Sequence, residues 1–560
     1  MKVLIHGSGT VDLSNQDFVA SGGEGSIYAK GSLAYKVYND PTHMLPVGKI
    51  TELGLIQDPN VIKPEQVLLD QKGKTPIGYT MRYVSDVMPL CQTFTPAFRD
   101  RNGIQHSTML ALVQKLQGLV DHVHAAKVLM VDLNEMNFLV SNAFDQVYAI
   151  DVDSYQTAHY PATAIMPSVR DWTVKHNQFT EGSDWFSFAC VSFQMFTGIH
   201  PYKGRHPSVS GLDERMRQNI SVFDPSVTTP KVVYPITVIP QGYRDWLKAV
   251  LQDGKRIHPP IDPSGGVILV TPVFRNITSQ DSLDIQVFKK YAEEIVGYFE
   301  WGTQQVAIGS KSCFINNQPS SLPNAQVVVG SISQTGTSVL GWLNQGKVHL
   351  WDATHSKVIP VDVQASGIMG YDGDIYVQSD NHVLRLDLLE VGSQIIASTR
   401  IATNVMSRAT KLFPGLVYQN MLGSCYLTVY HNHGSYQIRV PDLDGARIVD
   451  AKHDHRVIML NVFRKGKYDR VVLEVSSDYQ TYQVRQTASD IQPIGLNFIT
   501  LDNGVYACIN EDEDLEISAL GNPKTRLVKS SVLGSDMHLV RVQGRVGFIK
   551  GDTVFTMRLK

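Results

Sequence analysis

The chain has 560 residues, 43% hydrophobic and 18% charged, too many for a single core and therefore expected to form two or more globular domains. Fifty Lys and Arg against 53 Asp and Glu leave a net charge of -3, so the whole-chain balance provides no general attraction to nucleic acid or to an anionic membrane. Five widely spaced cysteines, Cys91, Cys190, Cys313, Cys425 and Cys508, never form C-x-x-C; this argues against a disulfide framework or cysteine zinc site and predicts buried thiols in a reducing compartment.

In chain order, the start Met1-Lys2-Val3-Leu4-Ile5-His6-Gly7 lacks the long apolar stretch of a signal peptide. No run of about 18 apolar residues follows anywhere, so a soluble, cytoplasmic protein without a membrane span is expected. A glycine cluster, Gly22-Gly23-Glu24-Gly25, lies between strand-like residues, where backbone amides can approach phosphates unhindered, although a plain hairpin turn would read the same way. The strand Leu33-Ala34-Tyr35-Lys36-Val37-Tyr38 carries one lysine among apolar neighbours, either an edge lysine in solvent or a point charge for nucleotide phosphates. Met109, Leu112, Val113, Leu116, Leu119, Val120 and Val123 form one stripe of an amphipathic helix. Asp132 and Asn137 follow it, five residues apart, and the apolar strand Val147-Tyr148-Ala149-Ile150 ends in Asp151, 14 residues after Asn137. Trp185 to Phe196 is apolar on nearly every face and predicts a helix buried inside a domain. Composition changes at His258-Pro259-Pro260-Ile261-Asp262-Pro263-Ser264-Gly265-Gly266, the best linker candidate.

Beyond residue 265 the texture is short alternating strands separated by Gly, Asn and Asp turns, with one helix expected at about 286 to 298. Dividing these roughly 295 residues by the roughly 40 to 45 of a four-stranded blade gives six or seven blades, so a β-propeller is the first choice and a pair of sandwiches the alternative. Asp450, His453, Asp454 and His455 offer metal-type ligands but read better as a polar turn, and the acids of Glu511 to Glu516 read as a solvated surface loop. Tyr376, Phe498 and Tyr506 read as blade-core aromatics, and no basic stripe interleaved with aromatics signals nucleic acid.

The glycine cluster, lysine strand, Asp132/Asn137 pair and Asp151 strand end occur together in the order and spacing of a kinase nucleotide site. Residues from about 15 to 260 resemble a protein-kinase-like domain. More narrowly, they resemble a bacterial group of serine/threonine kinases, associated with von Willebrand-type adhesion-domain proteins and metal-dependent phosphatases. The phrases are Gly22-Gly23-Glu24-Gly25, Asp132-Leu133-Asn134-Glu135-Met136-Asn137 and Ile150-Asp151-Val152-Asp153-Ser154-Tyr155-Gln156. Ser183-Asp184-Trp185-Phe186-Ser187-Phe188 and Gly198-Ile199-His200-Pro201-Tyr202 are similar to that group's buried sixth helix and its exit.

The resemblance implies ATP and Mg²⁺ as cofactors. Gly22, Gly23 and Gly25 would cover the phosphates, Lys36 would hold them with Glu52 as its partner, and the backbone near Met81 and Tyr83 would form the adenine hinge. Asp132 would orient the attacking hydroxyl and accept its proton, Asn137 and Asp151 would bind Mg²⁺, and Asp184 would accept hydrogen bonds from the catalytic-loop backbone. Met130 and Val131 stand where the general signature has His and Arg, so regulation by activation-loop phosphorylation is not expected. There is no Ala-Pro-Glu either, so the ion pair from that glutamate to a late arginine, here Arg256, is not expected to form.

The expected architecture is an α+β bilobal protein-kinase-like fold over 1–264, with a small lobe about 1–84 and a helical lobe about 85–264, followed over 265–560 by an all-β domain, a six- or seven-bladed propeller. The expected function is ATP- and Mg²⁺-dependent phosphorylation of Ser/Thr in a protein, with the propeller recruiting substrate or regulator. An adhesion-domain protein and a metal-dependent phosphatase are the partners the resemblance suggests. The alternatives are a pseudokinase–propeller scaffold that binds nucleotide without phosphoryl transfer, and transfer to a small molecule or of nucleotide in place of phosphate.

Overall fold

A computed structural model describes the chain except residues 23, 175–177, 231–232, 262–282, 302–303, 324, 333, 393, 492, 494, 531 and 535. The chain divides into two compact units, Met1–Phe274 and Arg275–Lys560.

The first unit opens with seven strands: β1 (Lys2–Ile5), β2 (Gly9–Asp12), β3 (Phe18–Ser21), β4 (Gly25–Lys30), β5 (Leu33–Tyr38), β6 (Val67–Leu69) and β7 (Pro76–Arg82). They form one sheet in the order β2-β1-β6-β7-β5-β4-β3, antiparallel throughout. Alternate apolar residues, among them Val3, Ile5, Tyr35 and Leu68, gather on one side as its core. Helix α1 (Val47–Leu53) lies in the connection from β5 to β6. After β7 the chain enters a second sheet, β10-β9-β8, made of β8 (Val87–Pro89), β9 (Phe138–Ser141) and β10 (Val147–Ala149).

Among the described residues, helices α2 (Pro96–Asn102), α3 (His106–Ala125), α4 (Glu181–Thr197), α5 (Leu212–Arg217) and α6 (Gln241–Leu251) follow in this unit. The predicted stripe on α3 is buried at every one of its seven positions. In α4 every residue from Ser183 to Thr197 is buried, so no face is left for water, and the polar ends need internal partners. Thr180 caps the start by accepting from the Ser183 N–H at 3.3 Å. At the other end the buried Arg99 donates to the carbonyls of Met195 and Phe196 at 2.5 and 3.3 Å. Gly198 closes the helix at φ 82°, where an added Cβ would meet the Phe94 carbonyl oxygen at 2.7 Å, so both conformation and space demand glycine.

The expected linker begins as part of this unit. The Ile257 carbonyl accepts from the Trp246 indole at 3.0 Å, His258 bonds Asp121 at 2.7 Å, and the Pro260 carbonyl accepts from Gln117 at 3.2 Å. Residues 262–266 of that candidate lie outside the described residues.

Among the described residues the second unit is β-structure apart from two short 3₁₀ turns, and its strands form seven four-stranded antiparallel sheets. Six take consecutive strands, over 295–321, 328–359, 367–404, 410–439, 447–489 and 498–528. The seventh joins the unit's first strand, β11 (Leu283–Lys290), to the last three, Thr553–Leu559, Arg545–Lys550 and His538–Val542, with Leu283 opposite Leu559 and Lys290 opposite Thr553. Aliphatic cores lie between successive sheets, as where Leu416, Leu427 and Val429 meet Ile448, Leu460 and Leu473. Tyr376, Phe498 and Tyr506 are buried in such cores, as expected. All five cysteines are buried and unpaired with one another.

Two sequence expectations fail here. The helix at about 286 to 298 is instead β11, a turn and the strand Ile295–Trp301. Lys, Glu and Gln favour a helix locally, but pairing with the C-terminal strand decides the conformation. The acids of 511–516 are not a solvated run: Glu511 and Glu516 are largely buried and hold the buried Arg470 at 2.7 and 3.0 Å. A cation placed inside a sheet interface requires such partners. The turn at 454–455 serves packing: Asp454 accepts from the Thr500 N–H at 2.6 Å and from Arg541 at 3.4 Å, tying neighbouring sheets together. Among the described residues no helix is long and apolar enough to cross a membrane, and no group of three or more His, Cys, Asp or Glu side chains is placed to hold a metal ion.

Candidate functional site

Lys36 sits mid-sheet, since β5 is flanked by β4 and β7 with Ile27 and Tyr79 opposite the lysine. Close approach of β7 is possible because residue 78 is glycine, whose Cβ would otherwise lie 1.9 Å from the Lys36 carbonyl oxygen. The ammonium is buried and rests 2.6 Å from Asp153 Oδ2, which also accepts from the Tyr38 hydroxyl at 2.7 Å. Glu24, on the glycine loop, approaches Lys36 at 3.4 Å but is 65% exposed. Burial works against the charge on Lys36, but Asp153, Asp151 and Glu24 outweigh it and hold its pKa above the usual lysine value. Burial likewise opposes ionisation of Asp153, and the charge and hydrogen bond of Lys36 with the hydrogen bond of Tyr38 hold that carboxyl below the usual range.

Glu52 is not the partner of Lys36. Its two oxygens accept from the His159 N–H at 3.2 Å and bond the His159 ring at 2.6 Å. The buried residue that α1 turns toward this region is Lys49, whose ammonium donates to the Asp153 carbonyl at 2.8 Å and the Pro161 carbonyl at 3.4 Å. Sequence reasoning missed Asp153, Tyr38 and Lys49. The second acid of Asp151-Val152-Asp153 was the available signal, whereas nothing local marks which face of α1 points inward.

The loop bearing Asp132 is held from beneath. Fully buried Asp184 on α4 accepts from the Met130 N–H at 2.8 Å, the Val131 N–H at 2.9 Å and bonds His124 at 2.9 Å, the role expected of it. Val131 is bent to φ 61°, an unfavourable conformation for a β-branched residue that these bonds sustain. Asp132 Oδ2 then accepts from the Asn137 amide at 3.2 Å and Oδ1 from the Met166 N–H at 2.7 Å. The β9–β10 hairpin pairs Phe138 with Ala149, and the Ile150 N–H donates to the Asn137 carbonyl at 2.9 Å. Asn137 and Asp151 thus leave the same end of one hairpin. Asp151, at φ 57° and exposed, starts the 3₁₀ turn Val152–Ser154 that carries Asp153.

Of the glycines, Gly22 and Gly25 form the β3–β4 turn through a 2.9 Å bond, and residue 23 lies outside the described residues. A Cβ on Gly25 would meet the Val37 carbonyl oxygen at 2.4 Å, so Gly25 is required by strand packing; Gly22 has open space around it. Met81 lies opposite Ala34 near the end of β7, and the Tyr83 N–H donates to the Ser32 carbonyl at 2.8 Å, just before the chain leaves the first sheet. Arg256, for which no ion pair with an Ala-Pro-Glu glutamate is expected, is held instead by buried Asp171 through two bonds, of 2.5 and 2.8 Å.

The described residues therefore bring Lys36, Asp153 and Glu24 together, and Asp132 with Asn137 beside the Asp151 turn, while leaving Glu52 outside. An amide and a carboxylate are hard oxygen donors of the kind Mg²⁺ takes alongside phosphate oxygens, and a buried ammonium suits phosphate. The donor set fits Mg²⁺ with a nucleoside polyphosphate.

No protein-family model matches this chain, and no curated protein matches it. Among solved structures it is similar to the kinase PK-1 of Cydia pomonella granulovirus, with 12% identity and a TM-score of 0.31, over 42% of this chain and 88% of that one.

Proposed function

We propose that the first unit is a protein-kinase-like fold that transfers the γ-phosphoryl group of ATP to a Ser or Thr hydroxyl of a protein, and that the second is a seven-bladed β-propeller that recruits substrate or regulator. The observation that carries the first part is the loop of Asp132: clamped by Asp184 from below, bonded to Asn137 five residues on, and followed through one hairpin by Asp151. Seven four-stranded sheets, the last completed by the unit's first strand, support the propeller reading.

In this reading Lys36 holds the α- and β-phosphates, and Asn137 and Asp151 hold Mg²⁺. Bound there, Mg²⁺ neutralises charge that develops on the phosphoryl oxygens. Asp132 orients the acceptor hydroxyl and takes its proton at a carboxylate oxygen; the Asn137 and Met166 bonds fix the direction in which that carboxylate faces. The adhesion-domain protein and metal-dependent phosphatase remain proposed partners, to be tested by pull-down from the native host.

The engagement of both Asp132 oxygens and of the Lys36 ammonium by protein groups favours a second reading, a nucleotide-binding scaffold without turnover. Incubation with γ-³²P-ATP, Mg²⁺ and a generic protein substrate separates the two. Label on the intact chain or substrate, reduced at least about 100-fold in Asp132→Asn and Asp151→Asn, is the expected result. Mg²⁺-dependent stabilisation by ATP without label would establish the scaffold in its place.

A further inference from the structure

Kinase chemistry requires a carboxylate that holds the phosphate-binding lysine in place, and where that carboxylate sits on a helix, movement of the helix controls activity. Here the carboxylate has another origin. We propose that Asp153 is the positioning residue for Lys36, so that the lysine is aligned by the same short turn that carries Asp151, and helix α1 contributes no carboxylate to it. This inference rests on the nucleotide-site reading above.

Asp153 is held from two elements at once. Its Oδ2 meets the Lys36 ammonium at 2.6 Å and the Tyr38 hydroxyl at 2.7 Å, both from β5, and its carbonyl accepts from Lys49 of α1 at 2.8 Å. The Lys36 and Asp153 side chains are each only 7% exposed, so neither charge has water to replace the other. Glu24, the other acid near Lys36, is largely in solvent and at 3.4 Å fixes little. Glu52 is committed to His159 through both oxygens. Only Val152 separates Asp153 from Asp151, so displacing one moves the other. Lysine alignment and the Mg²⁺ ligand are thereby coupled, and α1 acts on the pair through the backbone bond from Lys49.

The test uses the full chain and a double-mutant cycle, with ATP affinity read by calorimetry with and without Mg²⁺, and kcat and KM for ATP read separately. Asp153→Asn and Lys36→Met are each expected to weaken ATP binding about tenfold and to lower kcat about 100-fold. Because Asp153 acts through Lys36, the double variant is expected to be no worse than Lys36→Met alone. Asp153→Glu should recover part of the affinity, and Glu52→Gln should stay within about twofold of the intact chain. Additive losses in the double variant, normal ATP binding by Asp153→Asn, or a loss in Glu52→Gln as large as in Lys36→Met would overturn the proposal. If Asp153→Asn does not fold, Tyr38→Phe, which removes one donor to Asp153 and keeps the ion pair, is expected to weaken ATP binding about threefold to fivefold, and unchanged binding would overturn it. ATP binding without label, lost in the same non-additive pattern, would refute phosphoryl transfer and leave the positioning role standing; label that Asp153→Asn retains in full would do the reverse.

Discussion

A buried ionisable residue is tolerated only with a partner or in its neutral form, and this chain shows both solutions. Lys36 is charged against Asp153, whereas His453, fully enclosed between sheets with its Nδ1 3.1 Å from the Gly415 carbonyl, has its pKa pushed down by burial to about 4. The folded value lies below the ordinary 6.5, so the unfolded chain takes up a proton first as pH falls. The stability that His453 contributes is therefore complete above pH 6.5 and is lost between there and about 4. Urea unfolding at pH 7 and 5 is expected to show a loss of roughly 2 kcal/mol on acidification, and His453→Gln, which does not titrate, should lack that share of it. At this scale the juxtaposition of Asp132 with Asn137, and of Asn137 with the Asp151 strand end, was legible because the loop and hairpin that bring them together are local in sequence. The partner of Lys36 was not, because Glu52 and Asp153 are both acids of suitable reach and only the packed orientation of α1 chooses between them.

Elements were legible where burial is periodic or complete. The α3 stripe and the largely apolar run of α4 from Trp185 to Phe196 announce helices because 3.6-residue spacing and a run that is apolar on nearly every face have few other solutions. Their end partners come from elsewhere in the chain. Arg99 reaches the last carbonyls of α4 from α2, and in the same way Arg256, beyond α6, reaches Asp171, which lies ten residues ahead of α4. Asp171→Asn leaves the partly buried Arg256 without its charge partner and is expected to cost about 3 kcal/mol, near the low end for broken buried pairs. A fall in the unfolding midpoint of the full chain, with partial recovery in Asp171→Glu, checks it; an unchanged midpoint would show that the pair is dispensable.

Across the whole chain, the second unit is completed by residues far apart in sequence. Leu283, buried at the start of β11, pairs with Leu559, while Val287 of the same strand is 64% exposed. Leu283→Ala is expected to destabilise this unit by about 2–5 kcal/mol and Val287→Ala by less than about 0.5, as read by thermal unfolding; equal effects would contradict the strand and its register. Local chemistry in the sequence determined the placement of Asp132 beside Asn137 and of Asp151 at the end of the same hairpin, the buried helix, the turn-then-strand texture and the absence of disulfide patterning, since each depends on neighbours within a few residues. Tertiary structure decided that 286–290 is strand, that Glu511 and Glu516 face inward, that Asp171 takes Arg256 and that Asp153 takes Lys36. In each of these the competing conformations or partners are nearly equal in local preference, and burial against a distant segment supplies the difference.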